Sequence, residues 1–385
     1  MTAPAFSQIP PLALYIHLPW CVRKCPYCDF NSYQLRGSIP EQAYVDALLL
    51  DLDGELPHAA GREIISIFIG GGTPSLFSGV ALKSLLDGVR ARLPLAADVE
   101  ITLEANPGTV DAAHFAAYRE AGVKRLSIGA QSFDPGQLEQ LGRIHDPGAI
   151  VTAMRTARAA GFDNINLDLM FGLPGQSVAA ALADLEQALA LGPEHLSWYE
   201  LTIEPNTAFH HRPPPLPVED ALADMQAVGM ARLAAAGYRR YEVSAFARQG
   251  RACRHNSNYW RFGDYLGIGA GAHGKLSDIV GGRILRSARQ RQPAAYIRMA
   301  GGERCRKLER IVDGRQIVTE FMMNALRLCG GVERALFAAH TGLDPGVISA
   351  PLARARALGL LERDTGWIRP TARGMSCLND LLQLF

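Results

Sequence analysis

Six short apolar runs, spaced by helix-like stretches, constrain this chain more than any other feature. They are LALYIHL (12–18), IISIFIG (64–70), VEITLEA (99–105), RLSIGAQ (125–131), NINLDLM (164–170) and HLSWYEL (195–201). Each is rich in Ile, Leu, Val or Tyr and too short for a helix, so each predicts a strand. Between them lie segments with helical patterning, such as EQAYVDALLLDL, DAAHFAAYREAG and AAALADLEQALALG. REAGVKRLSI, RAAGFDNINL and AAAGYRRYEV echo one another. Each ends a helix at a glycine, the expected stop signal, and then enters a strand. Strand and helix in alternation predict βα units on a parallel sheet. About six such units predict an α/β fold built as an incomplete (β/α)6-type barrel, although a doubly wound open sheet has the same signature.

The pattern breaks after about residue 240, where HNSNYWRFGDYLGIGAGAHG is rich in glycine and aromatics. The C-terminal end, DPGVISAPLARARALGLLERDTGWIRPTARGMSCLNDLLQLF, reads as helix, strand, DTG turn, strand and helix, and resembles a winged-helix module. The expected division is a tail over 1–11, the partial barrel over 12–240, a Gly- and aromatic-rich segment over 241–312 and a winged-helix-like α+β module over 313–385. A winged helix can bind DNA, but 39 basic and 38 acidic residues leave a net charge of +1, so no nucleic-acid partner is expected. The opening MTAPAFSQIPPLALYIHLPW lacks a basic n-region, and prolines break its apolar run. It reads as a tail entering a strand, not as a signal peptide. No window offers ~18 uninterrupted apolar residues for a membrane span, and a cytoplasmic protein is expected.

Seven cysteines in so long a chain do not look like a disulfide framework. Three of them, Cys21, Cys25 and Cys28, form a C-x3-C-x2-C run directly after the first strand, in YIHLPWCVRKCPYCDFNSY. Cys253, Cys305, Cys329 and Cys377 are scattered and expected as apolar fillers. Ligand sites in α/β folds lie at the C-terminal ends of strands. Three thiolates there can hold three irons of a [4Fe–4S] cluster and leave the fourth open to a small molecule. The alternatives are zinc completed by His17 or Asp29, or three unrelated buried thiols. IFIGGGTPS (67–75) sets three glycines at the next strand end. Glycines let backbone approach a ligand and present its N–H groups, or they serve only a tight βα turn.

With these motifs in place, the chain resembles the radical S-adenosylmethionine (SAM) superfamily. YIHLPWCVRKCPYCDF, GGGTPS, EANPG, IGAQSF, LGRIH, DLMFGLPGQ and HNSNYW, in that order, resemble the group of oxygen-independent coproporphyrinogen III dehydrogenases and HemW-type heme chaperones. The match runs from about residue 12 to the end of the chain. The resemblance implies that Cys21, Cys25 and Cys28 bind the [4Fe–4S] cluster, with Tyr27 beside the last of them. It implies that Tyr15 and Gly71 line the SAM site next to Gly72 and Thr73. Glu104, Gln131, Arg143 and Asp168 fall on SAM-contacting positions. Their chemistry suits that task, since carboxylates accept ribose hydroxyls and Arg grips a carboxylate in a fork. Read alone, Asp168 could equally satisfy buried backbone donors, and Arg143 could cap a surface helix.

Two departures separate this chain from the dehydrogenase pattern. That pattern continues to a fourth cysteine two residues after the third, where this chain has Phe30. It also carries an N-terminal extension of several tens of residues, for which a first strand near residue 12 leaves no room. The expectation is therefore no coproporphyrinogen III dehydrogenase activity, with that radical decarboxylation kept as the alternative. RHNSNYW (254–260) carries the H-N-x-x-Y-W motif that resembles the heme-chaperone branch, where the histidine is implicated in holding heme. Imidazole is a good axial ligand for heme iron, and aromatic neighbours can pack on a macrocycle. His255 is the expected heme ligand, Cys253 a weaker candidate, and a plain core hydrogen bond the competing role. The implied partners are heme and a heme-accepting respiratory protein, with transient contact to a membrane protein.

Overall fold

The six apolar runs are strands, and their alternation sorts two kinds of side chain onto two faces. In a computed structural model, the described residues are 6–385, without the side chains of residues 303, 308 and 309. The first five residues of the expected tail lie outside them. The strands are β1 (Leu12–Leu18), β2 (Ile64–Gly71), β3 (Leu95–Ala105), β4 (Arg125–Gln131), β5 (Ile165–Phe171) and β6 (His195–Glu200). They lie side by side in that order, all parallel. On one face Ile16, Ile67, Leu103, Ile128, Leu167 and Leu196 join the main core, beneath the helices that connect the strands. The opposite face is lined by Ser66, Thr102, Ser127, Asn166, Asp168 and His195. Interiors of parallel barrels are ordinarily filled with branched apolar side chains. This lumen is polar instead, which marks it as a place for polar ligands.

The connecting helices are α1 (Glu41–Ala59), α2 (Gly79–Arg90), α3 (Ala112–Ala121), α4 (Pro147–Ala159), α5 (Val178–Ala190) and α6 (Glu219–Ala235). Side chains of Ser78, Asp111, Asp146 and Ser177 accept the N-terminal N–H groups of α2 to α5. Gly122, at φ 103°, ends α3 in the left-handed conformation that the REAG motif predicts.

The sheet continues beyond these six strands. On the β6 side it adds the antiparallel pair β7 (Arg239–Glu242) and β8 (Ala245–Ala247). Next to β1 it adds a seventh parallel strand, β9 (Asp264–Ile268), in register Leu12 to Asp264. The antiparallel β10 (His273–Asp278), β11 (Arg283–Arg289) and β12 (Arg306–Ile311) follow. The glycine-rich 241–312 stretch thus supplies five strands, β8 to β12, of one 12-stranded sheet. Its two outer strands do not meet, so the barrel is open. Between β8 and β9 lies the short helix α7 (Arg254–Trp260), which carries the HNSNYW motif.

A second core holds the C-terminal end together. Helices Gly314–Ala325, Ala335–Thr341 and Ser349–Ala357 pack with the antiparallel strand pair Val332–Glu333 and Trp367–Ile368 around Phe321, Phe337 and Leu352. This module seats directly on α7. The guanidinium of Arg327 lies 4.4 Å from the Trp260 ring, and the His340 ring nitrogen bonds the Arg261 carbonyl at 2.7 Å. No helix among the described residues is long and apolar enough to cross a membrane.

Candidate functional site

The C-terminal ends of the parallel strands open onto a cavity of about 420 Å³. Cys21, Cys25 and Cys28 reach it from the loop after β1, and all three are free thiols. Tyr27 lines it from the same loop, packed near Phe209. Gly71, Gly72 and Thr73 come from the end of β2, Glu104 from β3, Gln131 and Arg143 from β4 and the loop beyond it, and Asp168 from β5. Residues separated by up to 147 positions therefore share one wall because each sits just past, or at, the same end of the sheet.

The packing of the chain itself already requires the glycines. A Cβ on Gly72 would lie 2.6 Å from the Trp20 carbonyl oxygen, and one on Gly71 2.6 Å from the His17 ring. Gly71 also has φ +118°, which side chains disfavour. The close approach is between the end of β2 and the cysteine loop itself. Gly72 N–H donates to Leu18 O at 2.8 Å and Thr73 N–H to Trp20 O at 2.7 Å. These bonds fix the limb that carries Cys21.

The three thiols do not converge on a single ion-sized position. Among the described residues, no three His, Cys, Asp or Glu side chains form a group that could hold one metal ion. His17, a candidate fourth zinc ligand, is committed elsewhere. Its Nδ1 bonds the Tyr15 hydroxyl and its Nε2 the Asn31 carbonyl, both at 2.9 Å. Arg143 Nη1 lies 3.8 Å from Cys25 Sγ, while Nη2 donates to Gly129 O at 2.7 Å. Arg143 Nε is buried with no partner. An orphaned donor beside a cavity is where a ligand acceptor fits.

The cavity floor is acidic. Glu104 accepts from Gly71 N–H at 3.1 Å. Burial first, and then the neighbouring charge of Asp168, pushes its carboxyl up to about 7. Asp168 is raised by burial too, against bonds from Ser127 Oγ at 3.1 Å and Asn166 Nδ2 at 2.7 Å. Gln131 holds a left-handed backbone, φ +70°, at a register shift in β4, and its Oε1 accepts from the Tyr199 hydroxyl at 2.7 Å. Strained backbone at a ligand cavity is a recurrent feature of functional sites.

Two of the expected residues lie elsewhere. Tyr15 and His255 sit deeper in the lumen, in one aromatic group. The Tyr15 ring is 6.4 Å from both Phe68 and His255, and Phe68 is 5.2 Å from His255. His255 Nδ1 bonds Ser66 Oγ at 3.2 Å. Burial, followed by the charge of Arg125, lowers its pKa to about 3, so the imidazole is neutral. In this conformation His255 fills the core role that competed with heme ligation. Trp260, at the other end of the same short helix, packs against the C-terminal core.

Tyr199, Ser127 and Asn106 also line the cavity, and the motifs did not single them out. The signal was present in the strand pattern. His195, Ser197 and Tyr199 alternate along β6, as Arg125, Ser127 and Gly129 do along β4, so splitting each strand into its two faces identifies the lumen set.

An open parallel barrel with C-x3-C-x2-C after its first strand and a glycine turn after its second defines a radical SAM protein. Residues 15–188 match the family described as the Radical SAM superfamily, and residues 312–376 match the HemN C-terminal domain. The fold is that of coproporphyrinogen III oxidase (HemN) from Escherichia coli, with a TM-score of 0.82 over 98% of this chain and 90% of that one, at 23% identity. The heme chaperone HemW of Escherichia coli (strain K12) is 54% identical over 98% of this chain and 99% of its own length. That of Haemophilus influenzae is 46% identical over 98% of each. The chain belongs to the HemW family.

Proposed function

We propose that this protein is a heme chaperone on a radical SAM scaffold. It binds a [4Fe–4S] cluster through Cys21, Cys25 and Cys28, SAM in the adjoining acidic cavity, and heme as cargo for an acceptor such as a respiratory cytochrome. The observation that carries this reading is the full-length similarity to heme chaperones at 54% identity. The cavity supports it. Thiols, glycine backbone, carboxylates and an arginine with an orphaned nitrogen line it together. When bound, the cluster supplies an iron that a small molecule can chelate. This chain's part is to hold the thiols on a loop pinned to β2, and to offer Glu104 and Asp168 to cationic or hydroxyl groups. Phe30, which stands where the dehydrogenases have a fourth cysteine, is a solvent-exposed aromatic at the cavity rim.

His255 is the heme ligand in this proposal, and its burial sets a condition. The N-terminus of α7 must lift from the sheet, breaking the Ser66 bond and the bonds from the Arg254 and His255 N–H groups to Glu100. Heme titrated into purified protein should give a defined Soret band, and His255→Ala should shift or abolish it while the cluster stays intact. An unchanged band in His255→Ala would remove this histidine from the heme site. Absence of any band in the wild type would remove the chaperone reading.

A further inference from the structure

The polar lumen holds one cation that no direct contact satisfies. Arg125 faces inward at the start of β4, is 2% exposed, and its Nε has no hydrogen-bond partner. No ion pair or hydrogen bond among the described residues engages its guanidinium. Across the strands its register partner is Thr102, whose hydroxyl is also buried and unpartnered. A buried guanidinium without a partner is costly, so charges nearby must hold it.

Register identifies those charges. Two residues further along each strand, one inward layer toward the cavity, Glu104 stands opposite Ser127, and Ser127 donates to Asp168. On the far side, Glu100 closes the N-terminus of α7 by accepting from the Arg254 N–H at 2.9 Å. One cation therefore lies between the acid pair of the cavity floor and the acid that caps the helix, bonded to neither. The other titratable groups around it are uncharged near neutrality. Burial raises Cys253 to about 12 and pushes Tyr241 up, and it lowers His195 and His255. Glu104 itself faces Asp168, the Gly71 N–H and Arg125, and beyond them the neutral phenols of Tyr15 and Tyr199.

We propose that Arg125 is a positioning residue for ligand binding: from one layer beneath the cavity floor, its charge lets Glu104 and Asp168 ionise together and so receive a cationic nucleoside. Two carboxylates sharing a buried site otherwise hold a proton between them. The proposal rests on the cavity being the SAM site, and SAM brings a sulfonium and an ammonium group. The sign follows from charge. The ionised acid pair binds the cation, so affinity rises with pH as Glu104 ionises, near 7 in the wild type. Without the Arg125 charge, that rise moves to higher pH.

The test is SAM affinity measured by equilibrium dialysis on anaerobically reconstituted full-length protein from about pH 6 to about pH 9, for wild type, Arg125→Gln and Arg125→Lys. Titration of SAM's own amine is common to all three and cancels in their ratios. Arg125→Gln should bind more weakly below neutrality, by about tenfold for each unit that Glu104 rises, and should converge on the wild type near the alkaline limit. Arg125→Lys should keep the wild-type profile. An Arg125→Gln curve that coincides with the wild type, or lies below it by the same factor at every pH, would overturn the proposal. If Arg125→Gln does not fold, Glu104→Gln decides. It should flatten the pH dependence, and a retained rise near 7 overturns the proposal. No SAM binding by the wild type at any pH would instead overturn the reading of the cavity.

Discussion

Cys25→Ala protein, reconstituted anaerobically with iron and sulfide, should contain essentially no [4Fe–4S] cluster, against about four irons per chain in the wild type. Three thiolates are the minimum set for a cluster with one open iron, and no other cysteine lines the cavity. Cys253 is fully buried in the lumen, where it donates to Glu100 at 3.6 Å, and its thiol is pushed up to about 12. Cys305 is buried beside the Asp51, Glu55 and Arg289 network. Neither can replace a lost ligand without rebuilding the core. Cys21→Ala and Cys28→Ala should behave alike, whereas Cys377→Ser, in the C-terminal module, should load fully. Iron and sulfide analysis with the visible absorption spectrum reads the outcome. Full loading of Cys25→Ala would contradict the assignment of the loop.

The second large effect is on stability, and it lies at the seventh strand. Asp264 is completely buried at the start of β9. Its carboxylate accepts from Lys275 Nζ at 3.0 Å, Arg62 Nη1 at 2.9 Å, and the Ser277 N–H at 3.0 Å. Lys275 is buried as well and also donates to Phe262 O at 2.8 Å. Asp264→Ala strands that ammonium in the core, and removing one partner of a buried pair costs about 3–5 kcal/mol. Chemical denaturation should show a loss of this size. Asp264→Asn combined with Lys275→Met should recover part of it, because the fully buried ammonium is then gone and only the partly exposed Arg62 has lost its carboxylate. The pH dependence has a definite sign. Burial opposes ionisation of Asp264, but Lys275 and Arg62 outweigh it and hold the pKa below the ordinary carboxyl range. Its stabilising contribution is therefore present above the unfolded pKa, about 4, and is lost as the pH falls through the depressed folded value. A loss below 1 kcal/mol, or one indifferent to Lys275, would contradict this account.

Much of the scaffold was legible in the sequence because β1 to β6 are largely buried parallel strands, each short and rich in Ile, Leu and Val on the face beneath the helices. The observed bounds fall within a few residues of the runs, and β1 and β4 coincide with them. β9 was not legible. DYLGI is short, two glycines follow it closely, and what seats it is the long-range pairing with β1 together with the Asp264 cluster. Neither leaves a periodic trace. The antiparallel β10 to β12 were hidden similarly, since their inward positions include Lys275 and Arg289, charges that are buried only because Asp264, Asp51 and Glu55 meet them. At the site, the cysteines and glycines were visible as motifs. The role of Gly71 and Gly72 in seating the cysteine loop, the orphaned Arg125 and the depth of His255 depend on which strands become neighbours, and local pattern carries no such information.

In the function proposed here, a radical SAM scaffold carries heme and does not decarboxylate a porphyrinogen. The most direct measurement uses one anaerobically reconstituted sample, divided between heme titration and incubation with coproporphyrinogen III, SAM and a reductant, with cluster-free protein as control. The expected result is a saturable heme complex with a defined Soret band, and no protoporphyrinogen above the control. Porphyrinogen turnover well above the control, with no saturable heme complex, would contradict it.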